Sequence, residues 1–438
     1  QAEDGIRDVE RSRGLGDVYK RQHIWKFKGC EKQLKILVVS EQYWPEGGGG
    51  TLATHLILKF LSQACGVNIF ILSGTRKPAK ISKNIKYFYT SFLECSNKIL
   101  LWRNLFLLAK QKWFLKLLSD TDVLYIPRYC YPLIPLGKRL NKKVIVHLHD
   151  YQPVSYNAVL FSYHINNQNT KRSKLRNCIK YELLEHNSVI KASLSTFLAS
   201  TNVLSKMWIT KADKIICVSR KQFEIICHEI PNLARKTRVI YNLPPNIPHI
   251  EKQFNKKCFL YMGGDSFVKG YFIFLKASWI LLNKGVEAKY LLGEGRGFKL
   301  ASRSLIKKLN KKFNSAYILL GRLKYNELLK HYVKSLALIF PSVWEEPLPY
   351  VVIESMLAGT IPIASKIGGV PEIVGDTPAQ YFLVEPYDID GFVDRMECIL
   401  SLSNEELTNI GIKLRNVTQK KFNVEKITRD LFRVFNLK

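Results

Sequence analysis

The chain has 438 residues, of which 47% are hydrophobic and 12% aromatic, which excludes a disordered protein and predicts two or three packed domains. Its formal net charge of +31 predicts an acidic partner: an anionic membrane, a nucleic acid or a phosphorylated substrate. The nine cysteines are scattered without a Cys-x-x-Cys pair, which argues against a disulfide framework or a zinc site and predicts reduced thiols in a cytoplasmic protein.

The positive charge is concentrated in the first half of the chain. Residues 23–250 carry 34 Lys and Arg against 12 Asp and Glu, and residues 251–438 carry 28 against 19. Because no nucleic-acid-binding module accompanies this charge, we expect no nucleic-acid partner. An anionic membrane surface stays open as a partner, and it would place the protein peripherally on the inner face of the membrane.

Residues 1–22 differ from the rest of the chain. They carry five basic and five acidic side chains and lack the apolar segment of a signal peptide. Their sequence matches the translation of a common sequencing adapter. We therefore expect an artefactual, disordered tail that takes no part in the fold.

Short apolar runs alternate with helical stretches along the remaining chain, a pattern typical of parallel α/β sheets. Six strands are predicted in the first half, over residues 35–40, 67–72, 123–126, 144–148, 214–218 and 238–241. Six more are predicted in the second half, over residues 258–262, 288–292, 317–320, 336–340, 361–364 and 381–384. The repetition predicts two similar domains.

The proline-rich residues 242–248 cannot continue a helix and mark the predicted domain boundary. We expect an N-terminal domain over residues 34–245 and a C-terminal domain over residues 249–420. Residues 421–438 predict a terminal amphipathic helix that packs back on the N-terminal domain. The polar and basic residues 157–177 predict a mobile loop in the first domain.

Residues 99–118 form the most apolar helical stretch, but no uninterrupted run reaches the roughly 18 residues of a membrane span. Arg103, Lys110 and Lys112 interrupt it. The stretch fits an amphipathic helix at a membrane interface, and it also fits a helix packed on a sheet. The strand predicted directly after it favours the packed helix.

Four glycines, residues 47–50, separate the first predicted strand from a helix. Such a loop lets the backbone approach a ligand closely and leaves amide groups free for an anion. It lacks both the Gly-x-Gly-x-x-Gly spacing and a Walker lysine, so a flexible turn explains it equally well.

Residues 144–150 predict a strand that ends in His149 and Asp150, at the sheet edge where open α/β folds bind ligands. His147 and His149 lie on the same side of this strand and could bind a metal. No further ligand at a supporting spacing accompanies them, so we expect no metal site.

Residues 259–270 predict a strand, a turn at Gly263 and Gly264, and Lys269 just before a helix. A lysine at that place can aim its ammonium group at a diphosphate. It can equally be a surface lysine whose stem lies on apolar side chains, and the sequence leaves both interpretations open.

Glu346 and Glu354 are the most informative residues in the chain. An apolar strand leads into Glu346, and a helical pattern over residues 350–357 places Glu354 about two turns into the next helix. Strand ends and helix N-termini are where α/β folds bind phosphorylated ligands. The spacing therefore predicts one acid at the sugar end of such a ligand and the other farther along it.

Together these segments resemble retaining nucleotide-sugar glycosyltransferases of the GT-B fold, of the group 1 (family 4) type that includes glycogen synthases and phosphatidylinositol mannosyltransferases. The resemblance spans about residues 34–438. Its most specific part is the pattern Pro-Ser-x₃-Glu-Pro-x₆-Glu-x-Met-x₂-Gly over residues 341–359. It implies two Rossmann-like parallel-sheet domains that face a cleft, with the nucleotide held mainly by the second.

The resemblance also implies roles for single residues. Glu354 would bind the ribose hydroxyls, Glu346 the hydroxyls of the donor sugar, and Lys269 would neutralise the leaving phosphate. The diphosphate would also be contacted by the turn at Gly264 and by the amides of Leu348, Tyr350 and Val351. Gly321 would lie under the base, and His149 would contact the sugar. Gly48 and Gly49 would line the acceptor side.

Three positions bear on these roles. Asp265 stands where the family usually has an arginine, and an acid there would repel phosphate unless it points away. Pro349 replaces a common glycine and removes one amide donor. Glu345 adds a third carboxylate beside Glu346, and the spacing favours Glu346.

The resemblance implies a retaining, metal-independent glycosyltransferase that needs no cofactor beyond its UDP- or GDP-linked donor. The acceptor would be a glycan or a lipid-linked sugar in cell-surface polysaccharide or glycolipid assembly. Two alternatives stay open: a catalytically silent binding subunit of the same fold, and another GT-B enzyme such as a nucleotide-sugar epimerase.

Overall fold

The structure is a computed structural model. It describes residues 33–82, 84–95, 97–161, 171–248, 252, 257–294, 297–321, 323 and 325–437. The predicted tail, residues 1–22, lies outside the described residues.

Two parallel sheets organise the described chain. The first has the strand order β3-β2-β1-β4-β5-β6-β7 and the second the order β10-β9-β8-β11-β12-β13. The strands of the first sheet are β1 Leu34–Ser40, β2 Val67–Ser73, β3 Ile85–Tyr89, β4 Val123–Ile126, β5 Lys143–Leu148, β6 Lys214–Cys217 and β7 Thr237–Val239. Those of the second are β8 Cys258–Tyr261, β9 Lys289–Leu292, β10 Tyr317–Leu319, β11 Ala337–Phe340, β12 Ile361–Ser365 and β13 Leu383–Val384.

Helices connect the strands. In the first half they are α1 Gly49–Leu61, α2 Lys98–Leu108, α3 Lys112–Ser119, α4 Ile134–Arg139, α5 Lys171–His186, α6 Val189–Leu198, α7 Asn202–Ile209 and α8 Arg220–Glu229. In the second half they are α9 Tyr271–Asn283, α10 Leu300–Lys312, α11 Tyr325–Lys334, α12 Tyr350–Leu357, α13 Val370–Val374, α14 Ile389–Ser401, α15 Asn404–Lys421 and α16 Val424–Phe435.

The strand order reverses once in each sheet, between β1 and β4 and between β8 and β11. At such a point the loops that follow neighbouring strands diverge and leave a crevice at the carboxyl ends of the strands. The glycine loop follows β1, the Gly263–Lys269 segment follows β8, and Glu346 follows β11. The topology therefore directs these predicted site segments to the two crevices.

Each of the twelve predicted strands overlaps an observed strand. The central strands are buried on both sides, as in β4, whose four residues are all buried, and this produces the continuous apolar runs seen in the sequence. The missed strand, β3, is an edge strand in which only Ile85 is buried. Its mixed composition gave no comparable signal.

Two local predictions were wrong. Residues 99–118 form two helices, α2 and α3, in place of one, with Leu101, Leu105 and Leu108 of α2 buried against the core. The predicted loop over residues 157–177 includes the start of helix α5 from residue 171, whereas residues 162–170 lie outside the described part. Among the described residues, no helix is both long and apolar enough to cross a membrane.

The terminal helix α16 packs on the first domain. Its Ile427, Leu431 and Phe435 lie one turn apart on a buried face. Phe435 contacts the ring of Tyr125 in β4 at 5.3 Å between centroids, and Lys143 donates a 2.6 Å hydrogen bond to the carbonyl of Val434. The chain thus returns to the first sheet after completing the second.

Candidate functional site

Glu346 and Lys269 form an ion pair between the loops that follow β11 and β8. The Lys269 Nζ atom lies 2.6 Å from one carboxylate oxygen of Glu346 and 2.7 Å from the other. The side chains are 32% exposed for Lys269 and 14% for Glu346, and Lys269 also lies over the ring of Trp344 at 5.4 Å. A ligand can reach the pair, but the surrounding protein excludes much of the water from it. The two charges therefore interact more strongly than they would on an open surface.

Close backbone packing fixes the loop around Glu346. Gly368 has φ of +54°, and a Cβ atom there would lie 2.1 Å from the carbonyl oxygen of Glu346. The buried carboxylate of Glu345 accepts a 2.9 Å hydrogen bond from the Gly368 amide, and burial raises the pKa of Glu345. Glu345 therefore holds the loop together, while Glu346 faces Lys269.

Glu354 lies on α12 and is only 3% exposed. Its carboxylate accepts hydrogen bonds from Tyr325 at 3.1 Å and from Tyr332 at 3.0 Å, both on α11. Burial raises the pKa of Glu354 to about 7, although both hydroxyls act in the opposite direction. Neither tyrosine was predicted from the sequence. Their spacing of seven residues, about two helical turns, places them on one helix face.

The N-terminus of α12 has no side-chain cap, because its N-cap residue is Pro349. The first amides of a helix have no partner within the helix, and those of Tyr350 and Val351 are the first of α12. Leu348 precedes them and is buried, and the Tyr350 hydroxyl donates a 2.8 Å hydrogen bond to the carbonyl of Leu243 in the interdomain segment.

The glycine loop of the first domain meets this helix start. A Cβ atom on Gly49 would lie 3.3 Å from the ring of Tyr350, and one on Gly50 would lie 3.1 Å from His149. A Cβ atom on Gly48 would meet nothing within 4 Å. The glycine loop therefore contacts Tyr350 of the second domain through Gly49 and His149 of the first domain through Gly50, whereas Gly48 faces open space.

His149 follows β5 and stacks on His147 at 4.3 Å between ring centroids. Its Nε2 atom is buried and has no hydrogen-bond partner among the described residues. Burial, followed by the neighbouring His147 and Arg128, lowers the pKa of His149 well below its usual value, so the ring is neutral. Within the described part of the chain, no cluster of three or more His, Cys, Asp or Glu could hold a metal ion.

Asp265 points away from the turn that begins at Gly263. Its carboxylate accepts hydrogen bonds from the Lys299 amide at 2.7 Å and from the Ser302 hydroxyl at 2.8 Å, at the start of α10. The acid thus stabilises a helix N-terminus. Gly264, beside it, has φ of +61° and donates its amide to the carbonyl of Gly293 at 3.2 Å.

Gly321, predicted to lie under the base, follows β10. Its φ is +67°, and a Cβ atom there would meet nothing within 4 Å. The backbone conformation favours glycine, and the space above it is open. No hydrogen bond links Gly321 or Gly264 directly to the Lys269–Glu346 pair among the described residues.

Comparison with known proteins bears on the family. Residues 246–416 match the family model of glycosyl transferases group 1. This segment is therefore similar to glycosyl transferases group 1. Among curated proteins, an uncharacterised 42.6 kDa protein in the cps region of Klebsiella pneumoniae is 26% identical over 98 residues, which span 22% of each chain.

Solved structures resemble this chain over most of its length. Sucrose-phosphate synthase from Thermosynechococcus elongatus superimposes with a TM-score of 0.69 at 17% identity, covering 92% of this chain and 98% of the other. Anabaena Alr3699/HepE with UDP-glucose gives 0.65 at 14% identity, covering 92% and 100%. A trehalose-6-phosphate structure from E. coli bound with UDP-2-fluoro glucose gives 0.63 at 14% identity, covering 92% and 98%. The predicted GT-B fold, with two Rossmann-like parallel-sheet domains, is confirmed.

Proposed function

We propose that the protein is a retaining glycosyltransferase that moves a sugar from a nucleoside diphosphate to a hydroxyl of a glycan or a lipid-linked acceptor. The observation that carries this proposal is the contact of the glycine loop with His149 and, across the domain boundary, with Tyr350. Tyr350 begins an uncapped helix, and Glu346 of the Lys269–Glu346 ion pair lies on the loop just before it. Because two of the similar structures contain UDP-sugars, UDP is the nucleotide that we expect first.

The proposed roles follow from the charges that the reaction develops. Cleavage of the bond between the anomeric carbon and the phosphate oxygen leaves negative charge on the diphosphate. The ammonium of Lys269 and the amides of Tyr350 and Val351 would stabilise that charge without a metal ion. The turn at Gly264 and the amide of Leu348 would line the same diphosphate.

The remaining residues would bind the donor at its two ends. Glu346 would accept hydrogen bonds from the sugar hydroxyls, and the uncharged His149 would contact the sugar from the first domain. Glu354 would accept hydrogen bonds from the ribose, and the open backbone of Gly321 would lie under the base. Gly48 and Gly49 would line the path of the acceptor.

Retention would follow from attack on the face that the diphosphate leaves. The acceptor oxygen forms the new bond to the anomeric carbon, and a phosphate oxygen takes the acceptor proton. A covalent route needs a free carboxylate at the anomeric carbon, but both oxygens of Glu346 lie within hydrogen-bond distance of Lys269. This pairing favours the route through the phosphate oxygen.

The silent-subunit alternative is supported by Asp265 alone, because an acid in the phosphate loop would repel the donor. Its carboxylate is engaged by Lys299 and Ser302, so that support is lost. No residue of the described chain favours an epimerase over a transferase, and we propose the transferase alone.

Release of UDP from UDP-glucose and related UDP-sugars, measured with purified protein and candidate acceptors, tests the assignment. We expect Lys269→Ala, Glu346→Ala and His149→Ala each to lower the rate by about a hundredfold or more, since each removes a group on the reacting atoms. GDP- and ADP-sugars in the same assay identify the base.

A matched ion pair serves as the control for this experiment. Lys366 and Glu385 lie 3.1 Å apart in the same domain but are exposed, at 57% and 66% of their side chains. Lys366→Ala and Glu385→Ala should leave release unchanged. Release that persists at the wild-type rate in Glu346→Ala and His149→Ala would reject the site.

We further propose that the acceptor is met at an anionic membrane surface on the inner face of the membrane. Helices α6 and α7 expose large apolar side chains, among them Ile190 at 82% and Phe197 at 78%. The first half of the chain also carries most of the excess positive charge. Apolar side chains combined with basic charge are typical of interfacial helices.

Vesicle sedimentation tests the membrane proposal. The protein should bind vesicles containing phosphatidylglycerol, lose affinity with rising salt, and bind neutral vesicles more weakly. Phe197→Ser should weaken binding, whereas Leu300→Ser, which changes an 85% exposed leucine of the second domain, should not. Equal binding to neutral and anionic vesicles would reject the proposal.

A further inference from the structure

The carboxylate of Glu354 accepts a tyrosine hydroxyl on each of its two oxygens. Tyr325 donates to Oε1 at 3.1 Å and Tyr332 donates to Oε2 at 3.0 Å. With the side chain only 3% exposed, a ribose that is to bind Glu354 must gain access past this arrangement. When a nucleotide binds, one of the two tyrosines therefore has to move away or share the carboxylate oxygen that it contacts with the ribose.

The two tyrosines are not equally able to move. Tyr332 is fully buried within α11, and its carbonyl accepts hydrogen bonds from Thr360 at 2.6 Å and Lys252 at 3.3 Å. Tyr325 is the first residue of the same helix and is partly exposed. Because helix ends open more readily than helix centres, Tyr325 is the side chain that can leave.

The chemistry of the phenol matches that of the ligand. A tyrosine hydroxyl and a ribose hydroxyl are both neutral O–H donors, and each makes a charge-assisted hydrogen bond to a carboxylate oxygen. We propose that Tyr325 is a displaceable plug: its hydroxyl occupies the place of one ribose hydroxyl on Glu354 and is exchanged for it when the donor binds. This inference rests on the proposed role of Glu354 in ribose binding.

The exchange would set the affinity for the nucleotide. Every ribose hydroxyl that reaches Oε1 replaces an existing hydrogen bond, so the site gains less than an unoccupied carboxylate would. The nucleotide binds only the molecules in which Tyr325 is displaced. The apparent dissociation constant therefore equals the intrinsic one divided by the fraction of such molecules. A weaker hold on the nucleotide also favours release of the nucleotide product.

Calorimetric titration of the full chain with UDP, 2′-deoxy-UDP and 3′-deoxy-UDP tests the plug. Tyr325→Phe removes the hydroxyl and keeps the ring, and it should tighten UDP binding by about tenfold. The gain should be smaller for the deoxynucleotide that lacks the hydroxyl directed at Oε1. Tyr325→Leu removes ring and hydroxyl and should shift the affinity in the same direction.

A matched control is Tyr317→Phe in the same domain. The Tyr317 hydroxyl is also buried and hydrogen-bonded, at 2.9 Å from Ser278 Oγ, but at the start of β10. This variant should leave all three affinities unchanged. Unaltered or weaker UDP binding by both Tyr325→Phe and Tyr325→Leu would overturn the plug.

The same titration separates failure of the plug from failure of the proposed function. If the wild-type protein prefers UDP over both deoxynucleotides but the Tyr325 variants do not bind it more tightly, only the plug is wrong. If the wild-type protein binds all three nucleotides equally, the ribose role of Glu354 is wrong and the plug is rejected with it.

Discussion

Glu354 is a buried acid that contributes unfavourably to stability when it is ionised. Its pKa of about 7 lies above the 4.5 of a free glutamate because burial disfavours the charge more than the two tyrosine hydroxyls favour it. When the pKa of a group is higher in the folded state than in the unfolded state, its contribution to stability is fully present below the unfolded pKa. The contribution is lost as the pH rises through the folded pKa. An uncharged residue at this position would make the fold more stable at neutral pH. The presence of a carboxyl group is therefore explained by a binding role and not by stability.

Glu354→Gln should therefore change the pH dependence of stability. In the wild-type protein the free energy of unfolding should fall between about pH 4.5 and pH 7, by up to about 3 kcal/mol from this group, and then level off. The variant, which cannot ionise, should be more stable than the wild type at pH 8 and similar to it at pH 4. Urea denaturation at both pH values measures the difference.

The control is Glu287→Gln, which changes an exposed glutamate before β9 in the same domain. It should follow the wild-type pH dependence throughout. If the stability of Glu354→Gln depended on pH in the same way as that of the wild type, ionisation of Glu354 would carry no unusual free-energy cost. Burial would then not explain its role.

At the scale of elements, the start of α10 shows why a motif position can mislead. Asp265 stands where an arginine would be expected to meet phosphate, and its charge predicted repulsion. The fold places Lys299 and Ser302 beside it, and their hydrogen bonds turn the acid into a helix cap. The direction of the Asp265 side chain could not be predicted from the local sequence, because it depends on a helix that begins 35 residues later.

Asp265→Ala should lower the free energy of unfolding by about 1 kcal/mol through loss of the cap, and change UDP affinity by less than about twofold. Denaturant unfolding and UDP titration measure the two effects. Asp388→Ala, which removes the cap of α14 where Asp388 accepts from the Gly391 amide at 2.9 Å, is the matched control. Tighter UDP binding in Asp265→Ala alone would show that the acid does repel phosphate.

At the scale of the whole molecule, Glu372 connects the two domains. From α13 it accepts hydrogen bonds from the amides of Arg220 at 2.9 Å and Lys221 at 2.8 Å, the first residues of α8. It also accepts one from the Tyr241 hydroxyl at 3.1 Å. A carboxylate at a helix N-terminus is favourable, so this contact holds the domains in a fixed relation.

Glu372→Ala should loosen that relation. We expect a larger radius of gyration in small-angle scattering of the ligand-free protein, and a higher KM for the donor, because the domains must then be ordered on binding. Glu385→Ala, an exposed acid of the same domain, should have neither effect. Identical scattering curves for Glu372→Ala and the wild type would show that other contacts fix the domains.

Much of the architecture was determined by the sequence alone. Buried parallel strands need continuous apolar runs, so the strands were visible as such, and the edge strand β3 was not. The spacing of Glu346 and Glu354 predicted a strand, a loop and a helix because these elements have fixed lengths and periods. Glu346 lies on the predicted loop and Glu354 on the predicted helix, but Glu354 is about one turn from the helix start and not two.

Only the tertiary structure decided which side chains meet. Three contacts show this: the pairing of Lys269 with Glu346, the contact of Gly49 with Tyr350, and the two tyrosines on Glu354. They join residues that are 22 to 301 positions apart in the chain. Local patterns carry no record of such partners, because a side chain's direction depends on how separate elements pack. The sequence thus determined where the acids lie, and the packing determined what each can bind.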